Sequence, residues 1–370
     1  MTATEPTFAP APGHTPEVEY AVTHRIGRVH LNRPRAINSL TGEMVASMLF
    51  QLDAWADDDG VGAVFLDGAG EKGLCAGGDV RQMRELLLAG DPDAVVGFWA
   101  KEYELNGRIA DYPKPFVAWM DGVVMGGGVG VASHGSRRLV TERSKVAMPE
   151  TVIGFFPDVG GLYLLSRAPG ELGTHAALTG GTFSGADAVV LGLADEVVPS
   201  VDKERVLADL AADLATEIAA DGADTRPGGP PVEASSGVPD GATATGDATV
   251  SELVQQRDWI DACYAGDDAV VILERLRTHD DPAARAAGEA IAARSPLSVV
   301  VTLEAIRRAR SMSVHEVLEQ DARLGRTFSR HPDFTEGVRA LLVDKDNAPR
   351  WADASVAEVD PAVVRAAFDG

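Results

Sequence analysis

The sequence of 370 residues is poor in several features that mark particular classes of protein. It has two cysteines, Cys75 and Cys263, too few for a disulfide framework or a cysteine-rich zinc cluster. No apolar run reaches the roughly 18 to 20 residues that a membrane helix needs. The N-terminal residues contain neither the basic start nor the apolar segment of a signal peptide, so we expect no secretory signal. These absences predict a protein of the reducing cytoplasm, without a bound metal and outside the membrane.

Basic residues are also scarce. Lysine and arginine number 33 against 56 aspartates and glutamates, which gives a formal net charge of −23. Nucleic-acid binding needs a basic surface that neutralises phosphates, so we expect no nucleic-acid partner. A phosphate-bearing ligand would need a local basic patch.

The first half of the chain alternates short β-like runs with stretches of helical spacing. Residues 18–32 are typical of a hairpin that turns near Ile26-Gly27, and VGAVFLDG, PFVAWMDG, RRLVTE and DEVVP are further predicted strands. Strands separated by helices indicate βα crossover units and a largely parallel sheet. We expect an α/β core over residues 18–200, preceded by a disordered leader, residues 1–17.

Residues 201–370 have a different character. Residues 221–250 lack leucine, isoleucine, methionine and aromatic residues and are rich in Gly, Pro, Ala and Thr. Such a segment cannot bury enough apolar surface to order itself, so we predict a flexible insertion there. Helical spacing predicts helices on both sides of it, over residues 201–220, 269–277, 281–296, 297–310 and 313–328.

Two glycine-rich stretches each follow a predicted strand and lead into a predicted helix. They are GAGEKGLCAGGDVRQM, residues 68–83, and DGVVMGGGVGVASHG, residues 121–135. Such turns expose backbone N–H groups at a helix N-terminus, where the helix dipole favours negative charge. Two of them can converge on one carbonyl oxygen and stabilise the charge that develops on it. Each stretch alone is weak evidence for such a site, because glycines also serve close packing at strand–helix turns, and neither stretch contains a nucleotide-binding motif.

The stretch AMPETVIGFFPDVGG, residues 147–161, places Glu150 and Asp158 among apolar residues. Desolvating a carboxylate is costly, so charged groups in such surroundings are usually paired or used in chemistry. They are either loop carboxylates facing water, with Asp158 as a helix N-cap, or acid/base groups of an active site. Burial beside Phe155 and Phe156 would raise their pKa values toward the range that proton transfer near neutral pH requires.

Taken in order and spacing, LNRPRAINSL, GLCAGGDV, MGGGVG and MPETVIGFFPDVGG resemble the enoyl-CoA hydratase/isomerase (crotonase) superfamily. The resemblance runs from about Val18 to Pro199. Further on, SPLSVVVTL and EGVRALLVDKDNAPRW resemble one branch, the 3-hydroxyisobutyryl-CoA hydrolases of valine breakdown. The resemblance implies an α/β fold, a crotonase-like spiral of ββα units with a helical C-terminal region. It also implies a small-molecule acyl-CoA substrate, no cofactor beyond the coenzyme A of that substrate, and a homo-oligomer, either a trimer or a hexamer.

The resemblance assigns roles residue by residue. Gly78 and Gly127 correspond to the two amides of an oxyanion hole, and Glu150 to a catalytic carboxylate shared by hydratases and hydrolases. Asp158 corresponds to the second carboxylate of the hydrolase branch, and Glu102 to its substrate-contacting glutamate. Further substrate contacts are implied at Ala36, Cys75, Ala76, Gly77, Asp79 and Gly126, and the candidate phosphate ligands are Arg33, Arg35 and Lys72, with Arg81 and Arg84 nearby.

One position departs from the hydratase pattern. Hydratases of the superfamily carry a second catalytic glutamate three residues beyond the middle glycine of GGG, where this chain has Gly130. Without it, the pair that positions water for addition across a C=C bond is incomplete, which favours hydrolysis of a 3-hydroxyacyl-CoA thioester. In that reaction Glu150 is either the nucleophile or a general base on water. Enoyl-CoA hydration or isomerisation, and acyl-CoA binding without turnover, stay open as alternatives.

Overall fold

The computed structural model of this chain describes residues 6–221 and 250–369. The predicted flexible insertion lies outside the described residues except at its first and last positions. Among the helices of these two ranges, none combines the length and the apolar composition that a membrane span requires.

The described residues form two β-sheets. The strands are β1 (Val18–Thr23), β2 (Ile26–Leu31), β3 (Ala63–Gly68), β4 (Phe116–Met120), β5 (Val123–Met125), β6 (Arg137–Val140), β7 (Lys145–Ala147), β8 (Thr182–Ser184) and β9 (Glu196–Val197). The main sheet has the order β1-β2-β3-β4-β6-β9, in which only the β1–β2 pair is antiparallel. β5, β7 and β8 form a second sheet that the sequence did not predict, because strands of three residues carry too little periodicity.

Helices connect the strands and pass over the sheet, as parallel pairing requires. They are α1 (Gly42–Ala56), α2 (Val80–Leu88), α3 (Pro92–Ala110), α4 (Gly127–Ala132), α5 (Gly161–Leu165), α6 (Leu172–Thr179) and α7 (Gly185–Val190). α3 is the helix that matters most for the site described below. Asp91 accepts a hydrogen bond from the Ala94 nitrogen at 3.0 Å and Pro92 occupies the first turn, which fixes where α3 begins.

The second half of the described chain is helical, as predicted. Its elements are α8 (Lys203–Asp221), α9 (Glu252–Cys263), α10 (Ala269–Thr278), α11 (Pro282–Ala292), α12 (Pro296–Ala309), α13 (Val314–Phe328), α14 (Pro332–Val338), a π-helical turn (Arg339–Val343) and α15 (Pro361–Asp369). α8 covers one face of the main sheet through Val206, Leu207, Leu210 and Leu214. α13 packs against α3, so the C-terminal helices share the core of the α/β part.

Asp67 on β3 ties the main sheet to α8. Its buried carboxylate accepts a hydrogen bond from Arg28 Nη2 at 2.9 Å, lies 2.5 Å from His30 Nδ1 and forms an ion pair with Lys203. Burial alone would raise the pKa of Asp67, but the His30 hydrogen bond and the charges of Lys203 and Arg28 outweigh it and hold that pKa below its usual range.

Two local predictions need correction. The hairpin turns at His24-Arg25 rather than at Ile26-Gly27, and both turn residues have positive φ, 51° and 63°. Two-residue hairpin turns of this kind usually carry Asn or Gly, so His24-Arg25 carries no turn signal in the sequence. Gly27 is needed for another reason: a Cβ on it would lie 2.7 Å from the Trp55 ring.

The prediction of a disordered leader is wrong for residues 6–17. Ala9 pairs with Tyr20 through two backbone hydrogen bonds of 3.0 and 2.7 Å, and Ala11 is buried. The edge of β1 supplies partners that the composition of the leader does not reveal, and pairing with that edge orders the segment.

Candidate active site

A cavity of about 290 Å³ lies between the two glycine-rich turns and the C-terminal helices. A concave, mostly apolar wall with a few polar groups is typical of a small-molecule site. Eight of the residues that the sequence singled out line it: Ala76, Gly77, Gly78, Glu102, Gly126, Gly127, Glu150 and Asp158.

The apolar side of the cavity comes from both halves of the chain. Trp99 on α3 stacks on Phe155 with ring centroids 4.6 Å apart, and Phe334 on α14 lies edge-on to Trp99 at 5.8 Å. Leu341 and Leu342, from the π-helical turn, complete this wall. The C-terminal region therefore forms part of the cavity itself.

The two glycine-rich turns approach each other at Gly78 and Gly127. A Cβ atom added to Gly127 would lie 3.2 Å from the Gly78 nitrogen. Gly127 is the first residue of α4, where N–H groups have no helical partner. Neither amide donates a hydrogen bond to another described residue, and both residues line the cavity. Two unpaired N–H donors therefore lie at one wall.

Hydrogen bonds between the turns fix this approach. The Cys75 nitrogen donates to the Val123 oxygen at 3.1 Å, and the Met125 nitrogen donates to the Cys75 oxygen at 3.0 Å. The buried Cys75 thiol donates to the Asn38 oxygen at 3.2 Å, and burial raises its pKa to about 12. Gly77 has a φ of +101°, which side-chain-bearing residues rarely adopt. Cys75 is thus a structural residue of the turn.

Glu150 begins a short 3₁₀ helix, Glu150–Ile153, that ends at Gly154 in the left-handed conformation. A Cβ on Gly126 would lie 2.7 Å from Glu150 Oε1, so the carboxyl group packs against the second glycine turn. Its Oε2 is buried and has no hydrogen-bond partner among the described residues. Burial, and next the charge of Asp158, raise the pKa of Glu150 well above its usual value.

Asp158 is the second buried carboxyl group at the cavity. Tyr103 on α3 donates its hydroxyl hydrogen to Asp158 Oδ2 at 2.8 Å. Burial raises the pKa of Asp158 to about 7, although the hydrogen bond from Tyr103 opposes this rise. A carboxyl group with such a pKa exchanges protons readily near neutral pH.

The turn that carries Asp158 is held from two sides. Val159 and Gly160 both have positive φ, 53° and 70°, and this conformation is unfavourable for a β-branched valine. His134 Nε2 lies 2.8 Å from the Val159 oxygen, and Asp321 Oδ2 on α13 accepts a hydrogen bond from the Gly160 nitrogen at 2.9 Å. Distant parts of the chain therefore maintain the position of Asp158.

Glu102 on α3 is the third buried carboxyl group. Its Oε1 lies against Gly127 and has no hydrogen-bond partner in the described part of the chain. Burial, followed by the charge of Asp158, raises the pKa of Glu102 well above its usual value. The group can accept a hydrogen bond from a ligand at the cavity.

Gly130 occupies the position at which the superfamily's hydratases carry their second glutamate. A Cβ there would lie 2.7 Å from Val159 Cβ and 2.8 Å from Asn106 Nδ2. Real Cβ atoms do not approach neighbours so closely. The space that a glutamate would need is filled by these two side chains, so the departure has a steric basis.

The other predicted contact residues surround the turns with most of their backbone groups engaged. Ala36, Cys75 and Asp79 are not part of the cavity wall. The two backbone groups of Ala36 bond within its own turn, and Asp79 caps α2. The Ala76 nitrogen donates to the Ile37 oxygen at 2.9 Å, but its carbonyl accepts no hydrogen bond from a described residue. Ala76 therefore keeps one free acceptor at the cavity.

Some of the candidate phosphate ligands already form ion pairs or hydrogen bonds within the protein, and others do not. Arg33 forms ion pairs with two carboxylates, at 2.8 and 3.1 Å, so its charge is already neutralised and its predicted role on phosphate is not favoured. Arg81 and Arg84 donate to backbone carbonyls of the C-terminal region at 2.7 and 3.1 Å. Arg35 and Lys72 form no ion pair within the described ranges and remain candidates.

Sequence reasoning missed Tyr103 and Asp321. Asp321 had a visible signal, because it continues the apolar stripe of α13 between Val317 and Leu324 at helical spacing. A charged residue in such a stripe is buried and is therefore paired or used. Tyr103 had no signal, since a tyrosine beside a buried glutamate is an ordinary core residue.

The family of the chain follows from its whole length. A model of the enoyl-CoA hydratase/isomerase family matches residues 26–368. The chain belongs to this family, which confirms the resemblance carried by its motifs and the fold class expected from it.

Individual relatives cover nearly the entire chain. The Danio rerio protein named 3-hydroxyisobutyryl-CoA hydrolase, mitochondrial, is 37% identical over 355 residues, 95% of this chain and 89% of that protein. A solved structure named carnitinyl-CoA dehydratase, from Mycobacterium thermoresistibile, is 47% identical with a TM-score of 0.83 over 96% of each chain. An enoyl-CoA hydratase structure from Rhodobacter sphaeroides is 36% identical, also with a TM-score of 0.83, and covers 95% of this chain and 97% of that one.

The predicted cytoplasmic location is wrong on this comparison, because the Danio rerio relative is named as a mitochondrial protein. Cys75 and Cys263 are free and buried. Free cysteines indicate a reducing environment but do not distinguish one reducing compartment from another.

Proposed function

We propose that this protein hydrolyses a short-chain 3-hydroxyacyl-CoA thioester, 3-hydroxyisobutyryl-CoA above all, to the hydroxy acid and free coenzyme A. One observation carries the proposal: the unpaired amides of Gly78 and Gly127 share a cavity with the buried acids Glu150 and Asp158. The Danio rerio relative, a named hydrolase of this thioester, supports the same reaction.

In this proposal the amides of Gly78 and Gly127 form an oxyanion hole. Attack on the thioester carbonyl moves negative charge onto its oxygen, and donors that are already in place stabilise that charge without reorganising. Loss of one such donor costs about 3 to 4 kcal/mol of transition-state stabilisation. The closeness of Gly127 to the Gly78 nitrogen supports the convergence of both amides on one oxygen.

Glu150 and Asp158 carry the bond changes. In one route Glu150 attacks the carbonyl carbon, the thiolate of coenzyme A leaves, and water hydrolyses the resulting anhydride. In the other, Glu150 removes a proton from water, which attacks directly. Either way a C–O bond forms, the C–S bond breaks and the thiolate gains one proton. Asp158, with its pKa raised to about 7, takes up and returns that proton.

Glu102 recognises the hydroxyl group of the substrate. A buried acceptor without a donor is unfavourable until a ligand supplies one, and the free Oε1 of Glu102 is such an acceptor. A site built around that hydrogen bond rejects an acyl group without the hydroxyl far more strongly than one that differs by a methyl, worth about 1 to 3 kcal/mol. For the coenzyme A part, the Ala76 carbonyl, Arg35 and Lys72 supply the free contacts. This chemistry uses no further cofactor.

Dehydration or hydration at a C=C bond is the second candidate. The Mycobacterium thermoresistibile structure, 47% identical and named a dehydratase, favours it. The filled space at Gly130 opposes it, because the Cβ of a glutamate there would collide with Val159 and Asn106.

The deciding experiment measures thiol release from 3-hydroxyisobutyryl-CoA and hydration of crotonyl-CoA on the same preparations. Wild type, Glu150→Gln and the control Glu104→Gln, an exposed residue on the same helix as Glu102, are compared. We expect rapid thiol release by wild type and Glu104→Gln, its loss in Glu150→Gln, and no hydration. Hydration without thiol release would overturn the proposal in favour of the second candidate. Binding of the thioester without either reaction would indicate a non-catalytic acyl-CoA-binding protein.

A further inference from the structure

Four buried acids surround the cavity and its back wall; we call them the acid cluster, Glu102, Glu150, Asp158 and Asp321. They come from α3, the 3₁₀ helix, the turn before α5, and α13. Each of Glu102 Oε1, Glu150 Oε2 and Asp321 Oδ1 lacks a hydrogen-bond partner among the described residues. Four ionised carboxylates so close together would repel one another strongly, so the cluster must hold protons.

Hydrogen-bond donors are unevenly distributed over the acid cluster. Asp158 receives the hydroxyl hydrogen of Tyr103 at 2.8 Å, and Asp321 receives the Gly160 amide hydrogen at 2.9 Å. An O–H donor on a carboxylate oxygen gives one of the stronger hydrogen bonds in proteins, whereas an acid oxygen without a donor is less unfavourable when the acid is neutral. The hydroxyl donor of Tyr103 therefore favours negative charge on Asp158 rather than on the other acids.

We propose that Tyr103 is a positioning residue that fixes the one negative charge of the acid cluster on Asp158 and leaves the other three acids protonated in the resting enzyme. This inference rests on the proposed function and deepens it. Asp158 is then the member that accepts the proton of Glu150, which frees the Glu150 carboxylate to attack the carbonyl carbon or to take a proton from water. The same proton returns to the thiolate of coenzyme A, so the cluster ends the cycle with the proton count it began with.

The surroundings agree with a single charge at Asp158. Titratable groups face Asp158 or its turn from each element packed around it: Glu102 and Tyr103 on α3, Glu150, Asp321 on α13, and His134 after α4. Burial lowers the pKa of His134 to about 4, so it brings no positive charge. Burial, followed by the charge of Asp158, raises the pKa values of the other three acids well above their usual range. The charges of Glu102 and Asp321 raise the pKa of Glu150 further.

Tyr103→Phe tests this role because it keeps the buried ring and removes only the hydroxyl donor. We expect the acid limb of the kcat/KM profile for thiol release to move to higher pH by about 1 to 2 units, the value of one hydrogen bond to a charged group. KM stays unchanged. The matched control is Tyr264→Phe, whose buried hydroxyl lies 2.9 Å from His175 Nδ1 outside the cavity wall, and we expect it to leave the profile in place.

A second perturbation keeps the test decisive if Tyr103→Phe does not fold. The chain has five tyrosines, and replacing them all with 3-fluorotyrosine makes each hydroxyl a stronger donor without changing its shape. We expect this substitution to move the acid limb to lower pH. An acid limb at the same pH in wild type, Tyr103→Phe and the fluorinated protein would overturn the inference.

A measurement without turnover separates this inference from the proposed function. Infrared titration follows the C=O band of a protonated buried carboxyl group, and its loss in Asp158→Asn assigns the band to Asp158. We expect the band to persist to higher pH in Tyr103→Phe than in wild type. If wild type releases no thiol but the band shifts, the proposed function fails and the role of Tyr103 stands. If thiol is released but the band does not shift, the function stands and the role of Tyr103 fails.

Discussion

Adding one methyl group at Gly127 probes the proposed oxyanion hole with the smallest possible change. The Cβ of Gly127→Ala would overlap Glu102 Oε1 and lie 3.2 Å from the Gly78 nitrogen and 3.3 Å from Leu40 Cδ1. Leu40 and Glu102 are buried and Gly78 is half-buried, so the methyl group displaces the Glu102 carboxyl group and pushes the two glycine turns apart. Gly127 itself has no positive φ, so alanine is compatible with its backbone conformation and the fold should persist.

The expected loss in kcat comes from the two amides, and displacement of the Glu102 carboxyl group adds a rise in KM. Separating two oxyanion donors by a fraction of an ångström is equivalent to weakening or losing one of them, which lowers kcat by roughly 10² to 10³, or about 2.7 to 4 kcal/mol. An interaction made only in the transition state lowers kcat and kcat/KM together. Thiol release at saturating and limiting thioester, with a thermal melt of each preparation, measures both effects.

Gly97→Ala is the matched control, since Gly97 is an exposed residue of α3 with no heavy atom within 4 Å of an added Cβ. We expect it to retain full activity and to gain about 0.5 to 1 kcal/mol of stability from the removal of a helical glycine. A folded Gly127→Ala protein that keeps its kcat within about threefold of wild type would refute the oxyanion-hole reasoning.

Three further predictions follow from other contacts. Gly130→Glu should not create crotonyl-CoA hydration, which a hydration assay checks. Because the new Cβ has no space, the substitution should lower the free energy of unfolding by about 1 to 3 kcal/mol in urea unfolding. The kcat/KM for thiol release should fall as the pH drops through about 7, because protonated Asp158 no longer accepts a proton; a profile flat from pH 5.5 to 8 would contradict it. Asp67→Asn should destabilise the fold by about 3 to 5 kcal/mol near neutral pH by leaving basic partners unpaired. The pKa of Asp67 is lowered in the folded protein, so its contribution to stability is fully present above the ordinary aspartate pKa and is lost progressively as the pH falls below it. The difference in free energy of unfolding between wild type and Asp67→Asn should therefore be smaller at pH 3 than at pH 7.

Local patterns carried most of the correct predictions. The strand–glycine turn–helix order around Gly78 and Gly127 needs only neighbouring residues to be recognised, and both turns line the cavity. Glu150 and Asp158 were visible because charged residues stand out among phenylalanines and isoleucines. The helices of the C-terminal region followed from their apolar spacing.

Predictions failed where a partner distant in sequence decides the local structure. Residues 6–17 are ordered by the edge of β1, and β5, β7 and β8 are too short to be found without one another. Arg33 was predicted to bind phosphate, but in the fold its side chain is ion-paired to two carboxylates.

The fold class, the two glycine turns and two of the buried acids could be predicted from the sequence, because each depends on periodicity or composition over a short stretch. Which groups meet depends on the tertiary structure: Tyr103 contacts Asp158 across 55 positions, and Asp321 contacts Gly160 across 161. The protonation state of each buried acid depends on these contacts, since burial and neighbouring donors and charges set the pKa of a carboxyl group. The residue types were thus given by the sequence, while their proton affinities arise from packing.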